Sequence, residues 1–285
     1  MKRFIPAPAP TDPHSAPGRK VRRPLLAAMT IGALLALVGN AAAAPAEPVA
    51  LEKEAAAGNA EAQFALGQYY WQQAKEDPAM AARAVEWWTA AARQMHVGAI
   101  FALGNAVAEG RGVPRSPSRA AELWRHAAEA GHPGAMTALG RAYARGFGTA
   151  PNDTEAVRWF QRAAAKGDAE AEFYLGWHYE TGRGTEADPV QAAICYLNAA
   201  EQNIPAAQTR IGLCYANGTG VPRNLATAHL WLARAAAAGD PDAPALQRTV
   251  ERQMGWRERR RALARWAEFQ RRAAPNATDS SIPVR

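Results

Sequence analysis

The residues of this chain that could do covalent chemistry are few and poorly placed for it. Its serines are Ser15, Ser116, Ser118, Ser280 and Ser281, which fall in the leader, one loop and the tail. A serine nucleophile needs a base held within hydrogen-bond reach, and none of these positions offers one. The histidines are scattered. His96 and His132 occupy the same place in a recurring pattern, just ahead of a helical segment, where a cap or turn residue belongs. No two histidines stand at i, i+4, and no Cys/His cluster has zinc spacing. His178 and Glu180 are two residues apart on a helical segment and so do not share a face. Four Gly-x-Gly elements, Gly110/Gly112, Gly146/Gly148, Gly182/Gly184 and Gly218/Gly220, invite a nucleotide reading. Each follows a helical segment, lacks a preceding strand and lacks the third glycine, so that reading fails. Cys195 and Cys214 lie in consecutive helical segments, where they are either two small core residues or a single disulfide in an oxidising compartment. The expectation is a protein that is not an enzyme and that uses no cofactor and no metal.

What positions these residues is a repeat. Leu66-Gly67, Leu103-Gly104, Leu139-Gly140, Leu175-Gly176 and Ile211-Gly212 are anchors whose glycines lie 37, 36, 36 and 36 residues apart. A fixed period of this length marks a solenoid, one helical unit stacked on itself. Within residues 133–168, Pro133 suits the first turn of a helix. Ala135, Leu139 and Tyr143 then form one apolar stripe at helical spacing. Gly140 in mid-helix costs roughly 1 kcal/mol against alanine, which predicts a close approach by a neighbouring helix. Gly146 suits a left-handed C-cap. A second helix follows with Ala156, Trp159, Phe160 and Ala163-Ala164, and Asp168 is a fitting N-cap for the next unit. The first copy departs from this pattern: it lacks Gly-x-Gly and is one residue longer.

The pattern Ala-x-x-x-Leu-Gly-x-x-Tyr-x-x-Gly-x-Gly, followed by Ala-x-x-x-Trp-x-x-Ala-Ala, resembles the Sel-one-like repeat family, a relative of the tetratricopeptide repeats. The resemblance covers residues 59–240 in five copies. It implies an all-α fold, an α/α right-handed superhelical solenoid of about five 36-residue helix-turn-helix repeats. It also implies a scaffold for protein–protein interaction, with the first helix of each repeat lining the concave face.

Taking the anchor glycine as position zero, positions −5, −1 and +3 form the buried stripe, and −3, +1 and +4 project roughly the opposite way. The latter set supplies the candidate partner-binding residues: Phe64, Phe101 and Phe173 at −3; Gln68, Asn105, Arg141, Trp177 and Leu213 at +1; and Trp71 at +4. Aromatic side chains on a face that need not be buried suggest a binding surface. For the three phenylalanines the rival reading is that they fill gaps between successive first helices. Trp177 and Arg141 are expected in the groove.

The flanks differ in character from the repeats. The net charge of +7 is concentrated at the two ends. Residues 1–24 carry +5 and residues 248–272 carry +6, which leaves the rest slightly acidic. A nucleic-acid reader would show a basic stripe on its folded body, so nucleic acid is not an expected partner. Arg19-Lys20-Val21-Arg22-Arg23, the apolar run Leu25–Val38 and the alanines 41–44 read as a secretory signal peptide cut after Ala44. The alternative is an uncleaved anchor across residues 24–46, with the repeats outside the cytoplasm. Residues 45–58 are expected to form a partial helix, 241–274 two capping helices and 275–285 a disordered tail. The expected function is a non-catalytic scaffold or regulator in the bacterial envelope, periplasmic or secreted, that holds a peptide or helix of an envelope protein. The alternatives are an accessory subunit of an envelope enzyme and a membrane-tethered structural protein.

Overall fold

A computed structural model of the chain describes Ile5 and residues 48–273. The segment read from the sequence as a signal peptide, Ile5 apart, residues 45–47 and residues 274–285 lie outside the described residues. Thirteen helices and no strand occur among the described residues. They are α1 (Pro48–Ala56), α2 (Ala60–Gln73), α3 (Ala79–Arg93), α4 (Val97–Glu109), α5 (Pro117–Glu129), α6 (Pro133–Arg145), α7 (Asp153–Ala164), α8 (Ala169–Thr181), α9 (Pro189–Glu201), α10 (Pro205–Asn217), α11 (Leu225–Ala237), α12 (Ala243–Gln253) and α13 (Trp256–Ala273). The fold is an α/α solenoid in which α2, α4, α6, α8 and α10 are the first helices of the five repeats. The residues fall into two compact units. One contains α1–α7, α8 through His178 and the turn Arg183–Glu186; the other contains Ile5, Tyr179–Gly182 and α9–α13.

Short-range chemistry fixes where each helix begins and ends. The N-caps of α5, α7, α9 and α11 are Ser116, Asn152, Asp188 and Asn224, and each side chain accepts a backbone N–H of the first turn. The same four residues donate their own N–H to the carbonyl at position +3 of the preceding helix: Val107, Tyr143, Tyr179 and Tyr215. The cap of the second helix is thereby tied to the body of the first. Ahead of α4 and α6 the caps are His96 and His132, whose Nδ1 atoms accept from Ala99 (3.1 Å) and Ala135 (3.2 Å). Asp168 does the same for Ala171 at 2.8 Å. Both histidines thus serve the backbone, as their place in the repeat predicts.

The repeat glycine is a socket for a side chain. A Cβ on Gly140 would lie 2.7 Å from Cε1 of Phe160 on α7. Trp88, Trp124 and Leu232 fill the same place over Gly67, Gly104 and Gly212. The expected close approach is real, but a ring or branched side chain makes it, where sequence reasoning pictured only a neighbouring helix. In the Gly146-Phe147-Gly148 turn both glycines have positive φ, and a Cβ on Gly148 would strike the Pro117 carbonyl of the previous repeat. The turn therefore seals one repeat onto the one before it.

At the N-terminal end, α1 acts as the second helix of an upstream half-repeat. Its Ala55 carbonyl accepts from Gln63 Nε2 at 3.0 Å, as the Ala200 carbonyl accepts from Gln208 at 3.2 Å in the fifth repeat. At the other end α12 and α13 follow the last repeat. Arg234 lies 4.4 Å from the Trp231 ring and 4.8 Å from that of Phe269 on α13. Asp240 Oδ1 accepts the N–H groups of Asp242 and Ala243 at the start of α12, which begins at Ala243, ahead of Leu246. The disulfide expected as one option for Cys195 and Cys214 does not form: both are thiols. Burial pushes the Cys214 thiol up to about 12, which leaves it protonated and unreactive at neutral pH.

Candidate partner-binding groove

The open face of the first three repeats is built by α2, α4 and α6, all within one compact unit. Two cavities share Asn105 and Glu109 as common walls. The larger, about 500 Å³, is lined by Phe64, Gln68, Trp71, Gln72, Phe101 and His132 among others. The smaller, about 220 Å³, is lined by Trp124, Ala138, Arg141, Arg145 and Phe147 among others. Six of the nine residues picked from the sequence are therefore brought together here: Phe64, Gln68, Trp71, Phe101, Asn105 and Arg141.

Each wall is held by a specific contact. Trp124 donates its indole N–H to Asn105 Oδ1 at 2.9 Å, which fixes the amide between the two cavities. Arg111 stacks over Trp71 at 4.2 Å, an arrangement in which the guanidinium covers an aromatic face. Phe64 and Phe101 rest on the capping imidazoles of the next first helix, with ring centroids 4.6 Å from His96 and 4.4 Å from His132. They fill the gap between successive first helices, as the rival reading held, and an edge of each still faces the cavity. Arg141 donates to Glu170 at 3.0 Å and keeps 36% of its side chain exposed.

Burial holds the His132 imidazole below its ordinary value, against an opposing pull from Asp168. The direction matters because only an unprotonated Nδ1 can accept the Ala135 N–H. The cap and the low proton affinity are one arrangement.

Three of the residues picked from the sequence are elsewhere. Trp177 shares the +1 position with Arg141 but is only 3% exposed, and it packs edge-on to His178 with Arg183 over its ring at 5.0 Å. A large apolar ring at that position turns into the protein, so Trp177 is a core residue and its assignment to the groove is corrected. Leu213 is buried in an apolar cluster with Leu225, Leu232 and Val250. Phe173 is half-buried beside Tyr174 and lines neither cavity. His178 and Glu180 part as expected: the His178 ring meets the Arg183 carbonyl, and Glu180 accepts from Tyr196.

Two features of the groove were missed. One is position +5, the last helical residue of α4, α6, α8 and α10 and the last but one of α2, occupied by Gln72, Glu109, Arg145, Thr181 and Asn217. It lies ~40° round the helix from +1, so it borders the same face. It is polar in every copy, which was a usable signal. The other is Phe147, the middle residue of a Gly-x-Gly, whose ring lies 6.0 Å from Trp124.

The five repeats match the Sel1 repeat at residues 60–96, 97–132, 133–168, 169–204 and 205–240. The chain belongs to the Sel1 repeat family. Among solved structures it is similar to c5321, described as a protective antigen of uropathogenic Escherichia coli strains with an SLR fold: 29% identity, TM-score 0.67, covering 79% of this chain and 49% of that one. It is also similar to a Sel1 repeat protein from Oxalobacter formigenes: 31% identity, TM-score 0.63, covering 71% of this chain and 59% of that one. The match thus spans only about half to three-fifths of these relatives. A search of curated proteins finds no significant match. Sel1 repeats generally serve as protein-interaction scaffolds, typically without catalytic activity. Among the described residues there is no group of side chains that could hold a metal, and no helix long and apolar enough to cross a membrane.

Proposed function

We propose that this Sel1 repeat protein is a non-catalytic scaffold of the bacterial cell envelope that holds a peptide segment or helix of another envelope protein against α2, α4 and α6. The observation that carries the reading is the pair of adjoining cavities, walled by Trp71, Phe101, Trp124 and Phe147 with Arg141 and Arg145 at one end. Aromatic walls desolvate an inserted apolar side chain, worth roughly 1.5–3 kcal/mol for one fully buried. The arginines offer hydrogen-bond forks to a carboxylate of the same ligand. Aromatic and arginine side chains are the types that dominate interface energies. Export rests on the basic flank, the apolar run and the alanines that follow it, which together support cleavage after Ala44.

A photo-crosslinking residue placed at Gln68 or Asn105 in intact cells is expected to trap a partner, whereas one at exposed Arg158 on α7 traps none. The reverse pattern moves the site to the outer face of the second helices. N-terminal sequencing is expected to find a mature chain beginning at Pro45 in the envelope fraction. Protein confined to the cytoplasm would refute the envelope role.

A further inference from the structure

One contact of the C-terminal unit belongs to no repeat. The Asn217 side chain makes two hydrogen bonds to a single distant residue, Ile5. It accepts the Ile5 N–H on Oδ1 at 3.0 Å and donates from Nδ2 to the Ile5 carbonyl at 2.9 Å. The Ile5 side chain is 1% exposed and belongs to one apolar cluster with Leu213, Ala216, Leu225, Leu232 and Val250. Asn217, Leu213 and Ala216 occupy positions +5, +1 and +4 of α10. These are the positions that line the groove on α2, α4 and α6.

The chemistry of this contact is that of peptide recognition. A side-chain amide carries the same donor and acceptor pair as a peptide group. Satisfying both the N–H and the C=O of one residue is what a neighbouring strand does for an extended residue in an antiparallel pair. Such a contact reads backbone and is indifferent to sequence. The apolar pocket beneath supplies the selection, for one branched aliphatic side chain. We propose that the +1, +4 and +5 face of α10, closed by α11 and α12, is a peptide-binding site for an extended segment with one aliphatic residue. Its occupant in the uncleaved chain is this chain's own N-terminal segment at Ile5, and cleavage after Ala44 would take that occupant out of the mature protein. The site is separate from the α2–α4–α6 groove and stands or falls independently of it.

An occupant tethered to its own site competes with any free copy of itself at an effective concentration on the order of millimolar. The test uses the full-length chain and a fluorescein-labelled synthetic peptide with the sequence of residues 1–11. Ile5→Asp in the full-length chain unseats the tethered segment without altering any repeat. The labelled peptide is expected to bind this variant about tenfold more tightly than it binds the unaltered chain. Adding Asn217→Asp to that variant keeps the shape but removes the donor to the Ile5 carbonyl, and is expected to reverse the gain by about tenfold or more. As a control on folding, the thermal midpoint of the Asn217→Asp chain should match its parent. A second readout is amide hydrogen exchange at Ile5, which should be slow in the unaltered chain and fast in Asn217→Asp, while Leu232 on α11 stays protected in both. Equal binding to the unaltered and Ile5→Asp chains, no binding to either, or an Ile5 amide that exchanges freely in the unaltered chain would each overturn the proposal.

Discussion

Arg141 on α6 and Trp177 on α8 stand at the same place in the repeat frame, one residue after the anchor glycine, yet they have opposite fates. Arg141 remains 36% exposed at the side chain and lines a cavity; Trp177 is 3% exposed and packs against His178. The repeat frame fixes where Cα sits and which way Cβ leaves the helix. It does not fix where a side chain six or more atoms long comes to rest. A guanidinium is held near solvent by its charge, with Glu170 as a partner. An indole gains free energy by turning away from water, and Arg183 covers its outer face. Equivalence of position in a solenoid is therefore equivalence of opportunity, and composition decides which copies present a surface.

The largest test of this contrast is Trp177→Ala, expected to lower unfolding free energy by about 3–5 kcal/mol, the range for emptying a buried aromatic site. Denaturant unfolding measures it, and a loss below about 1 kcal/mol would mean Trp177 is not core after all. Next is Gly140→Leu, which drives a side chain into Phe160 and should cost roughly 1–3 kcal/mol. A midpoint equal to the unaltered chain would remove the socket argument.

Arg141→Ala should behave oppositely to Trp177→Ala. Loss of its half-exposed ion pair should leave the thermal midpoint nearly unchanged, while partner capture through the α2–α4–α6 groove weakens by about 1–3 kcal/mol. Phe147→Ala is expected to act on binding in the same direction.

A smaller effect concerns pH. His132 has a proton affinity below its ordinary value, so the folded chain binds fewer protons than the unfolded chain as pH falls past 6.5. Stability is expected to be complete above that pH and to decline below it, until His132 is protonated in the folded chain as well. His132→Asn keeps a cap and should remove this part of the acid sensitivity. The smallest effect is expected for Arg260→Ala on the exposed side of α13, within about 0.5 kcal/mol in stability.

The anchor glycines, the apolar stripe and the caps at His96, His132 and Asp168 were legible in the sequence because each depends on neighbours within one or two turns. Ala62, Leu66 and Ala99, Leu103 are buried as the stripe requires. What was not legible depends on partners far along the chain. Phe160 over Gly140 could be counted but not paired. The inward turn of Trp177 depends on Arg183 and His178 meeting in the folded molecule. Phe147 reads as a turn residue until Trp124 is beside it. Position +5 is different, since its polarity in all five copies was there to be read. It was passed over because the helix ends at that residue or one residue later.

The seat of Ile5 at Asn217 has a consequence for topology. With the basic flank of residues 19–23 on one side of a bilayer and the repeats on the other, Ile5 and Asn217 are on opposite sides and cannot touch. Seating Ile5 and threading residues 24–46 through a membrane are alternative fates of the same stretch of chain. If residues 24–46 cross a membrane, the free energy that holds Ile5 in place is a handicap that their insertion must overcome. A chain that folds early carries that handicap, and one delivered to the membrane unfolded does not.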